Sequence, residues 1–256
     1  LAEKSREMGV SWLCVAFAVW MWVFYPEVVI GMGSRKEEYV DNGGDPKSLF
    51  WKVRTFIEML PMEFRPDGFD VKKHAPSKRI TNPENGAAII GEAGGNIGRG
   101  NRASIYFVDE AAFLMEPESV DAALSQTTNC RIDVSTPNGN GNPFYRKRFG
   151  GKVSVFTFDW RDDPRKDDAW YRKQAERLDP VVLAQEVDID YSASVSNAWI
   201  SGDLVVAAQK NGPADVTGIG GWIVGIDAAH EGNDESVIHF RRGRLNLAQT
   251  VQGKLD

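Results

Sequence analysis

An apolar run that ends in two carboxylates is the clearest place in this sequence for chemistry. Residues 105–108 (IYFV) are followed directly by Asp109 and Glu110. At a strand end, Asp109 could hold Mg²⁺ through water, and Glu110 could act as the general base that polarises an attacking water molecule. Phosphoryl transfer needs little more than positioning and charge compensation of this kind. The alternative interpretation is an ordinary solvated turn.

A second candidate is the loop of residues 4–11 (KSREMGVS). Phosphate-binding loops commonly follow the spacing G-x-x-x-x-G-K-[ST] before a helix. Gly9 and Ser11 keep their places in that pattern, but Val10 occupies the lysine position and Lys4 the position of the first glycine. Two interpretations stay open: a phosphate-binding loop, or a solvated loop in which Ser11 only caps the following helix.

The chemistry of the 4–11 loop can still suit a phosphate. Backbone N–H groups at a helix N-terminus face an anion, and the helix dipole favours negative charge there. Ser11 could ligate Mg²⁺, while Lys4 or Arg6 could supply the positive charge that Val10 cannot. We therefore predict a phosphate-binding segment that consists of Lys4, Ser5, Arg6, Glu7, Met8, Gly9, Val10 and Ser11.

A third polar segment, residues 135–139 (STPNG), ends the strand predicted over residues 131–135. Ser135 or Thr136 could sense a γ-phosphate and relay its loss. Pro-Asn-Gly also favours turn geometry, so an ordinary turn is the alternative. The position of the segment, after the strand that ends in Asp109, is what favours a role in the same site.

These three segments are positioned by alternating strands and helices. Buried strands are predicted over residues 28–33, 87–90, 103–108 and 131–135, and helices over residues 12–25 and 48–60 and from Pro117 onward. Such alternation indicates an α/β fold with a largely parallel sheet. In such sheets ligands bind at the carboxyl ends of the strands, which is where all three segments fall.

Residues 12–25 (WLCVAFAVWMWVFY) form an uninterrupted apolar run. A helix needs about 20 such residues to span a membrane, whereas this run is shorter and is closed by Pro26 and Glu27. Because the run is apolar on every side, we expect a helix that is buried in a large core, and no association with a membrane.

The composition is that of an ordinary globular protein, since 42% of its 256 residues are hydrophobic and 26% are charged. The net charge of −6 gives no sign of a broad basic surface, so any DNA contact is expected to be local. Short basic clusters, which could touch DNA phosphates or be solvated faces, occur at residues 72–73, 78–79, 146–148 and 241–244. Cys14 and Cys130 form no CxxC pair, which favours a reducing, cytosolic setting.

The sequence pattern changes after residue 190. Residues 191–221 are rich in small and polar side chains, which indicates a linker. Residues 222–227 (WIVGID) then predict a new strand, with further strands after it. We therefore expect a first domain over residues 1–190, a linker, and the beginning of a second domain over residues 222–256.

The order of these segments resembles the ATPase domain of phage-type terminase large subunits, the enzymes that pump DNA into a capsid. The segments that carry the resemblance are KSREMGVS (4–11), GSRKEEYVD (33–41), GRG (98–100), IYFVDEAAF (105–113) and STPNG (135–139). WRDDPRK (160–166) and AQEVDIDY (184–191) also resemble later segments of that family. Lys4 looks like the displaced lysine of the deviant Walker A motif that several terminases carry, and residues 105–110 look like a Walker B strand.

This resemblance implies an additional-strand, conserved-glutamate P-loop ATPase, in which the STPNG strand lies between the phosphate-loop strand and the strand that ends in Asp109. It implies ATP and Mg²⁺ as cofactors, with Ser11 and Asp109 as the metal ligands and Glu110 as the base. An arginine completes such a site. Arg99 is the candidate that reaches a neighbouring subunit, or is a solvated loop residue, and Arg6 is the candidate within its own subunit.

The family also implies partners and a location. The expected partners are double-stranded DNA, the portal protein of the procapsid, the terminase small subunit and further copies of this chain in a ring, by resemblance a pentamer. The expected location is the host cytoplasm, with transient docking on the procapsid. Compared with that family, the chain looks clipped before its first strand and truncated at its C-terminus.

Residues 225–238 (GIDAAHEGNDESVI) resemble the opening of the family's ribonuclease-H-like nuclease domain. Asp227 would be the first ligand of a site for two divalent metals, Mg²⁺ or Mn²⁺. Asp234 would assist, or would be a turn residue before the next strand. The remaining ligands would lie beyond Asp256, so we expect endonuclease activity from the full-length protein and not from this chain.

Other functions share parts of this pattern. A DNA helicase or translocase outside packaging would have the ATPase segments but not the late strand over residues 222–227. A non-catalytic assembly protein on the same fold would have little need of Glu110. A ribonuclease-H-like integrase would leave most of the chain unexplained.

Overall fold

The computed structural model divides the chain into two compact units, Leu1–Ala198 and Trp199–Asp256. The residues that it describes are 1–100, 102–192, 204, 207, 208, 210, 220–227, 236–243, 245–246 and 251–253. Most of the linker predicted over residues 191–221 lies outside the described residues. The predicted domain boundaries therefore stay a prediction.

A seven-stranded sheet organises the first unit. Its strands are β1 (Ala2–Lys4), β2 (Val29–Ser34), β3 (Arg79–Thr81), β4 (Ala88–Ala93), β5 (Ile105–Asp109), β6 (Arg131–Ser135) and β7 (Phe156–Phe158). They lie in the order β3-β4-β2-β5-β6-β1-β7. Every neighbouring pair is parallel except β3 with β4. The predicted α/β class with a mainly parallel sheet is confirmed.

The order of the central strands decides which segments meet. β6 lies between β1 and β5, and its Val134 is paired with both Ala2 and Asp109. Parallel neighbours end at the same edge of a sheet, so the chain leaves β1, β5 and β6 on one side. The segments that follow these strands are therefore brought together, although they are far apart in the sequence.

The centre of the sheet packs closely around Tyr106 of β5, which is fully buried. The Tyr106 ring lies over Gly31 of β2, where an added Cβ atom would come within 2.2 Å of the ring. The Tyr106 hydroxyl donates a hydrogen bond to Glu92 Oε2 at 2.7 Å, which fixes the ring in this place. Glycine at position 31 is thus required by close approach, and the contact holds β2 beside β5.

Helices connect the strands, and several begin at recognisable caps. They are α1 (Val10–Phe24), α2 (Glu37–Val40), α3 (Leu49–Met59), α4 (Val71–His74), α5 (Pro117–Thr127), α6 (Pro143–Phe149), α7 (Asp168–Arg177) and α8 (Pro180–Glu186). Ser48 Oγ accepts a hydrogen bond from Trp51 N at the start of α3. Asn142 does the same for α6 by accepting from Tyr145 N. The helix predicted from Pro117 is present, with proline in its first turn.

Helix α1 is buried on one side only, which corrects the expectation of a helix enclosed on every side. Its buried face enters the main core through Val15, Ala18, Val19 and Trp22. Its other face exposes large apolar side chains, namely Trp12, Leu13, Phe17, Trp20 and Phe24. A run that is apolar all round does not specify which side packs, so neighbouring elements decide it. Within the described residues, no helix combines the length and apolar character that crossing a membrane requires.

Two strands were not predicted, and one is longer than predicted. β3 and β7 are the edge strands of the sheet, with three residues each. Such short edge strands leave little periodicity to detect, and Phe156 of β7 is 53% exposed. β4 continues past residue 90 to Ala93, because Ala93 still pairs with Ser34 at the end of β2.

The second unit contains an antiparallel sheet. Its strands are β8 (Trp222–Asp227), β9 (Ser236–Arg242), β10 (Leu245–Asn246) and β11 (Val251–Gly253). β9 pairs with each of the other three. The strand predicted over residues 222–227 is present, and Asp227 is its last residue. Asp234 lies outside the described residues.

Candidate active site

Side chains from four neighbouring strand ends line one small cleft. The cleft has a volume of about 140 Å³ and is lined by Lys4, Arg6, Arg35, Glu110, Phe113, Thr136 and Glu186. Lys4 is the last residue of β1, and Arg35, Glu110 and Thr136 come directly after β2, β5 and β6. The cleft thus places three cationic side chains and two carboxylates at the carboxyl edge of the sheet, where a polyanion could bind.

Ser11 and Asp109 form a pair of oxygen ligands at the same edge of the sheet. Ser11 Oγ donates a hydrogen bond to Asp109 Oδ2 at 2.8 Å. Ser11 lies in the first turn of α1 and Asp109 at the end of β5, so the bond joins the helix that follows β1 to a strand two places away. Hydroxyl and carboxylate oxygens are ligands that suit Mg²⁺.

Mg²⁺ that arrives with a nucleotide needs only one or two protein ligands, because phosphates and water supply the rest. In the part of the chain that the structure describes, no group of three or more His, Cys, Asp or Glu side chains could hold a metal alone. The Ser11–Asp109 pair therefore fits a nucleotide-bound Mg²⁺ better than an ion held only by the protein.

Glu110 is held in a conformation that non-glycine residues rarely adopt. Its φ of 54° lies in the left-handed region. Arg35 Nε lies 2.6 Å from Glu110 Oε2, which makes a close ion pair. The Arg35 guanidinium also packs over the rings of Tyr39 and Phe113, at 5.1 and 5.6 Å from their centroids. The turn after β5 thus directs Glu110 against a cation that is itself fixed.

The surroundings of Glu110 alter its affinity for protons. Burial is the largest influence and raises the pKa of the Glu110 carboxyl above its usual range. Arg35 opposes this rise, Asp109 adds to it, and Lys4 opposes it. On balance the pKa is raised, so Glu110 is a stronger base than an ordinary exposed glutamate.

Ser5 anchors the 4–11 loop to the body of the first unit. Ser5 N donates to Phe158 O at 3.0 Å. The Ser5 side chain is fully buried, and its Oγ donates to Val187 O at 2.6 Å and accepts from Trp160 N at 3.0 Å. These contacts engage Ser5 with the protein backbone, and its predicted contact with a phosphate stays a prediction.

The rest of the 4–11 loop turns sharply towards α1. Glu7 and Gly9 both have positive φ angles, of 60° and 73°. Met8 and Val10 point into the core, with exposed fractions of 6% and 5%. Lys4 and Arg6 are therefore the cations that this loop brings to the cleft.

The segment that follows β6 is bonded to the segment that follows β5. Ser135 Oγ accepts a hydrogen bond from Ala112 N at 3.2 Å. Asn138 Nδ2 donates to Ala112 O at 2.9 Å, so both backbone groups of Ala112 are held. Thr136 lies between these contacts in the sequence and lines the cleft beside Glu110. A displacement of either segment must therefore be transmitted to the other.

Solved structures of phage large terminases are similar to this chain. The ATPase domain of the large terminase of Thermus phage P74-26 superposes with a TM-score of 0.55 at 16% identity, covering 75% of this chain and 87% of that one. The chain has the fold of this ATPase domain. The large terminase of a thermophilic bacteriophage gives a TM-score of 0.53 at 12% identity, covering 93% of this chain and 58% of that one.

The same thermophilic-bacteriophage terminase has been solved with ATP-γ-S, and that structure also superposes with a TM-score of 0.53 at 12% identity, with coverage of 93% and 58%. This chain therefore spans 58% of the length of that terminase. No protein-family model and no curated protein sequence matches the chain. The likeness to terminases is thus a likeness of fold.

The terminase ATPase fold puts the candidate arginines in different places. Arg6 lines the cleft, and its Nη1 lies 3.4 Å from Glu186 Oε2. Arg99 is exposed on the loop after β4, where its Nη2 donates to Ser119 Oγ at 2.6 Å, and it does not line the cleft. The structure thus brings Arg6, but not Arg99, to the cleft of its own chain.

Arg35 is the cleft residue that the sequence interpretation missed. It lies within GSRKEEYVD, one of the segments that carry the terminase resemblance, one residue after the end of β2. Its place after a buried strand was the available signal, since that is also the place of Glu110 and Thr136. Glu186, in AQEVDIDY, had no comparable local signal, because it ends a helix.

The basic cluster at residues 146–148 is occupied by acidic partners. Arg146 Nη2 contacts Glu118, and Lys147 Nζ contacts Asp121 and, at 3.2 Å, Asp133 Oδ2. Arg148 Nε lies 2.7 Å from the buried Glu3 Oε2. These pairs connect α6 to α5, β6 and β1 within the unit. Structural ion pairing is thus the observed role of this cluster.

Proposed function

We propose that this chain is an ATP-driven motor that translocates viral double-stranded DNA into a procapsid. The observation that carries the proposal is the placement of the Ser11–Asp109 oxygen pair beside the cationic cleft of Glu110, at the carboxyl edge of a sheet with the terminase ATPase fold. The binding of ATP-γ-S by the terminase of the thermophilic bacteriophage, a protein of the same fold, is consistent with it.

The 4–11 loop would bind the phosphates of ATP. Lys4 and Arg6 contribute positive charge from the cleft wall, and the N-terminus of α1 adds the favourable end of its dipole. Gly9 lets the backbone turn into α1 with a φ of 73°. In this proposal the loop is a Walker A motif whose lysine has moved to position 4.

Ser11 and Asp109 would hold Mg²⁺, which compensates the charge of the transferring phosphoryl group. Glu110 would orient the attacking water and accept its proton. Because Arg35 contacts the same carboxylate, the ion pair must open, or leave one oxygen of Glu110 available, when water is bound. Arg35 therefore sets both the direction of Glu110 and its charge before catalysis.

The strand end of β6 would relay the state of the nucleotide. Thr136 lines the cleft, while Ser135 and Asn138 are bonded to Ala112, two residues after Glu110. Loss of the γ-phosphate at Thr136 would thus move the segment of Glu110 and the loop of residues 135–139 together. This coupled displacement is the structural step that would be passed to DNA.

Loss of the Lys4 charge is expected to weaken ATP binding. Lys4→Ala should raise the KM for ATP by about tenfold or more, since a charge-assisted contact with a phosphate is lost. The measurement is steady-state hydrolysis with Mg²⁺ together with binding of ATP-γ-S. Lys152→Ala, at an exposed lysine between α6 and β7, is the matched control. Undiminished affinity in Lys4→Ala would show that the displaced-lysine interpretation is wrong.

Removal of Arg35 is expected to change the dependence of hydrolysis on pH. Glu110 must be ionised to act as a base, and its pKa is already raised by burial. Arg35 lowers that pKa, so Arg35→Gln should raise it further and move the acid limb of the kcat–pH profile to higher pH. The profile is compared with that of Arg172→Gln, an exposed site on α7. An acid limb that stays in place, or moves to lower pH, would contradict this role of Arg35.

The proposed motor would work as part of an assembly. Its partners would be DNA, the portal protein of the procapsid, the terminase small subunit and further copies of the chain in a ring, which by resemblance is a pentamer in the host cytoplasm. In such a ring Arg99, exposed and outside the cleft of its own chain, would be placed to reach a neighbour, whereas Arg6 would act within its own subunit.

A packaging assay tests this proposal against a general DNA motor. The full-length protein is combined with procapsids, DNA and ATP, and the DNA that becomes resistant to nuclease is measured. Packaging predicts ATP-dependent protection that requires procapsids carrying the portal. DNA-stimulated hydrolysis without any such protection would instead favour a helicase or translocase outside packaging.

In the second unit, we propose that β8 begins a ribonuclease-H-like nuclease domain. Asp227 is exposed at the carboxyl end of β8, the position expected for a ligand of a two-metal site with Mg²⁺ or Mn²⁺. Asp234, outside the described residues, would assist it. Cleavage of concatemeric DNA would then belong to the complete protein.

A further inference from the structure

A lysine far along the chain holds the 4–11 loop. Lys166 Nζ donates to Arg6 O at 3.0 Å and to Glu7 O at 3.4 Å, and it lies 3.1 Å from Met8 Sδ. Its ammonium group also lies 4.8 Å from the centroid of the Trp170 ring. One side chain thus contacts three consecutive residues of a loop that precedes it by about 160 positions in the sequence.

These contacts surround the most constrained residue of the loop. Glu7 has a φ of 60°, which is unfavourable for a residue with a Cβ atom and persists only where the surroundings enforce it. The two carbonyl groups that Lys166 binds belong to Glu7 and to the residue before it. Lys166 therefore fixes the two peptide groups whose orientation defines this turn.

The segment that carries Lys166 is itself rigid and is attached to the loop at a second point. Trp160–Asp162 is a 3-10 turn that a reciprocal capping box between Asp159 and Asp162 closes. Lys166 N donates to Asp163 O at 2.9 Å, which continues the turn up to the lysine. The same segment reaches the loop through Trp160 N, which donates to the buried Ser5 Oγ.

The charge of Lys166 is also supported where it lies. Burial lowers the pKa of Lys166, while Asp163 and Glu7 act in the opposite direction and favour the ammonium form. Glu7 therefore contributes to the contact twice, through its carbonyl group and through the charge of its side chain. The ammonium is directed at the outside of the loop, and Lys166 does not line the cleft.

We infer that Lys166 is a positioning residue that presets the 4–11 loop for a polyphosphate. The usual lysine position is occupied by Val10, and Lys166 stabilises the loop from outside while Lys4 supplies charge on the inside. The identity of the ligand rests on the proposed function, but the ordering of the loop does not. Loss of Lys166 would leave a loop that reaches its binding conformation only part of the time, which weakens apparent affinity by that fraction.

The test is Lys166→Met in the full-length protein. Hydrogen exchange of peptides covering residues 4–11 is measured without nucleotide and should become about fivefold faster or more. With ATP, KM should rise about tenfold while kcat stays within about twofold, because bound substrate selects the competent loop. Lys166→Arg, which can still donate to both carbonyl groups, should restore most of the protection and of the KM. Lys173→Met, at an exposed lysine of α7, should change neither.

Two outcomes would overturn the inference. Unchanged exchange of the loop in Lys166→Met would show that the lysine does not order it. A fall in kcat at unchanged KM would show that Lys166 acts in the reaction itself and does not position the loop. A wild-type protein that neither binds nor hydrolyses ATP would refute the proposed function alone, because the exchange experiment uses no nucleotide and still decides the role of Lys166.

Discussion

Glu110→Gln is expected to reduce ATP hydrolysis by about 10² to 10⁴-fold, the usual contribution of a positioned general base. Glutamine has nearly the same shape, so the left-handed turn after β5 and the packing of Arg35 on its aromatic neighbours should persist. The amide, however, cannot accept the proton of the attacking water. The variant should therefore bind ATP without turning it over.

Binding and turnover must be measured separately to support this role of Glu110. Affinity for ATP-γ-S should stay within about threefold of wild type, since the cations that bind phosphates, Lys4 and Arg6, are unchanged. Glu63→Gln, in an exposed 3-10 turn before α4, is the matched control and should hydrolyse ATP normally. Normal turnover by Glu110→Gln would remove Glu110 from the reaction and leave Arg35 without the catalytic partner that we propose.

Asp109→Asn is expected to separate the geometry of the metal site from its charge. The asparagine oxygen can still accept the hydrogen bond from Ser11 Oγ, which joins α1 to β5 at 2.8 Å in the wild-type protein. The negative charge that attracts Mg²⁺ is lost. We expect hydrolysis to fall by about a hundredfold, and the Mg²⁺ concentration for half-maximal rate to rise by about tenfold or more.

A second measurement on Asp109→Asn distinguishes this effect from general damage to the site. The Asp109 charge helps to raise the pKa of Glu110, so its removal should lower that pKa and move the acid limb of the residual kcat–pH profile to lower pH. This shift is opposite to the one expected for Arg35→Gln. Asp67→Asn, at an exposed site, is the control. An unchanged Mg²⁺ requirement in Asp109→Asn would contradict the metal role.

The proposed function also explains why an acidic chain can serve a DNA motor. With a net charge of −6, and with the cations at residues 146–148 engaged by carboxylates, the first unit does not rely on a uniform positive surface. Binding that depends on few phosphate contacts is weak and readily released, which suits a motor that must let go of DNA in each cycle. The assembled ring would supply the persistence that one chain lacks.

The sequence by itself determined the local elements and the chemistry at their ends. Runs such as residues 105–108 and 131–135 are too apolar to be anything other than buried strands, and each is followed by polar residues that a parallel sheet must place at one edge. Asp109, Glu110 and Thr136 could therefore be assigned to one region from the sequence. Local hydrophobic pattern carries this information because burial acts on each element separately.

Only the tertiary structure decided which elements became neighbours. The half-exposed α1 could not be foreseen, because an all-apolar helix has no polar face to orient it. The pairing of Arg35 with Glu110 depends on β2 lying beside β5, and the hold of Lys166 on the 4–11 loop depends on a contact across about 160 residues. Such contacts are set by strand order and by the packing of distant segments, and a residue's immediate sequence contains no record of either.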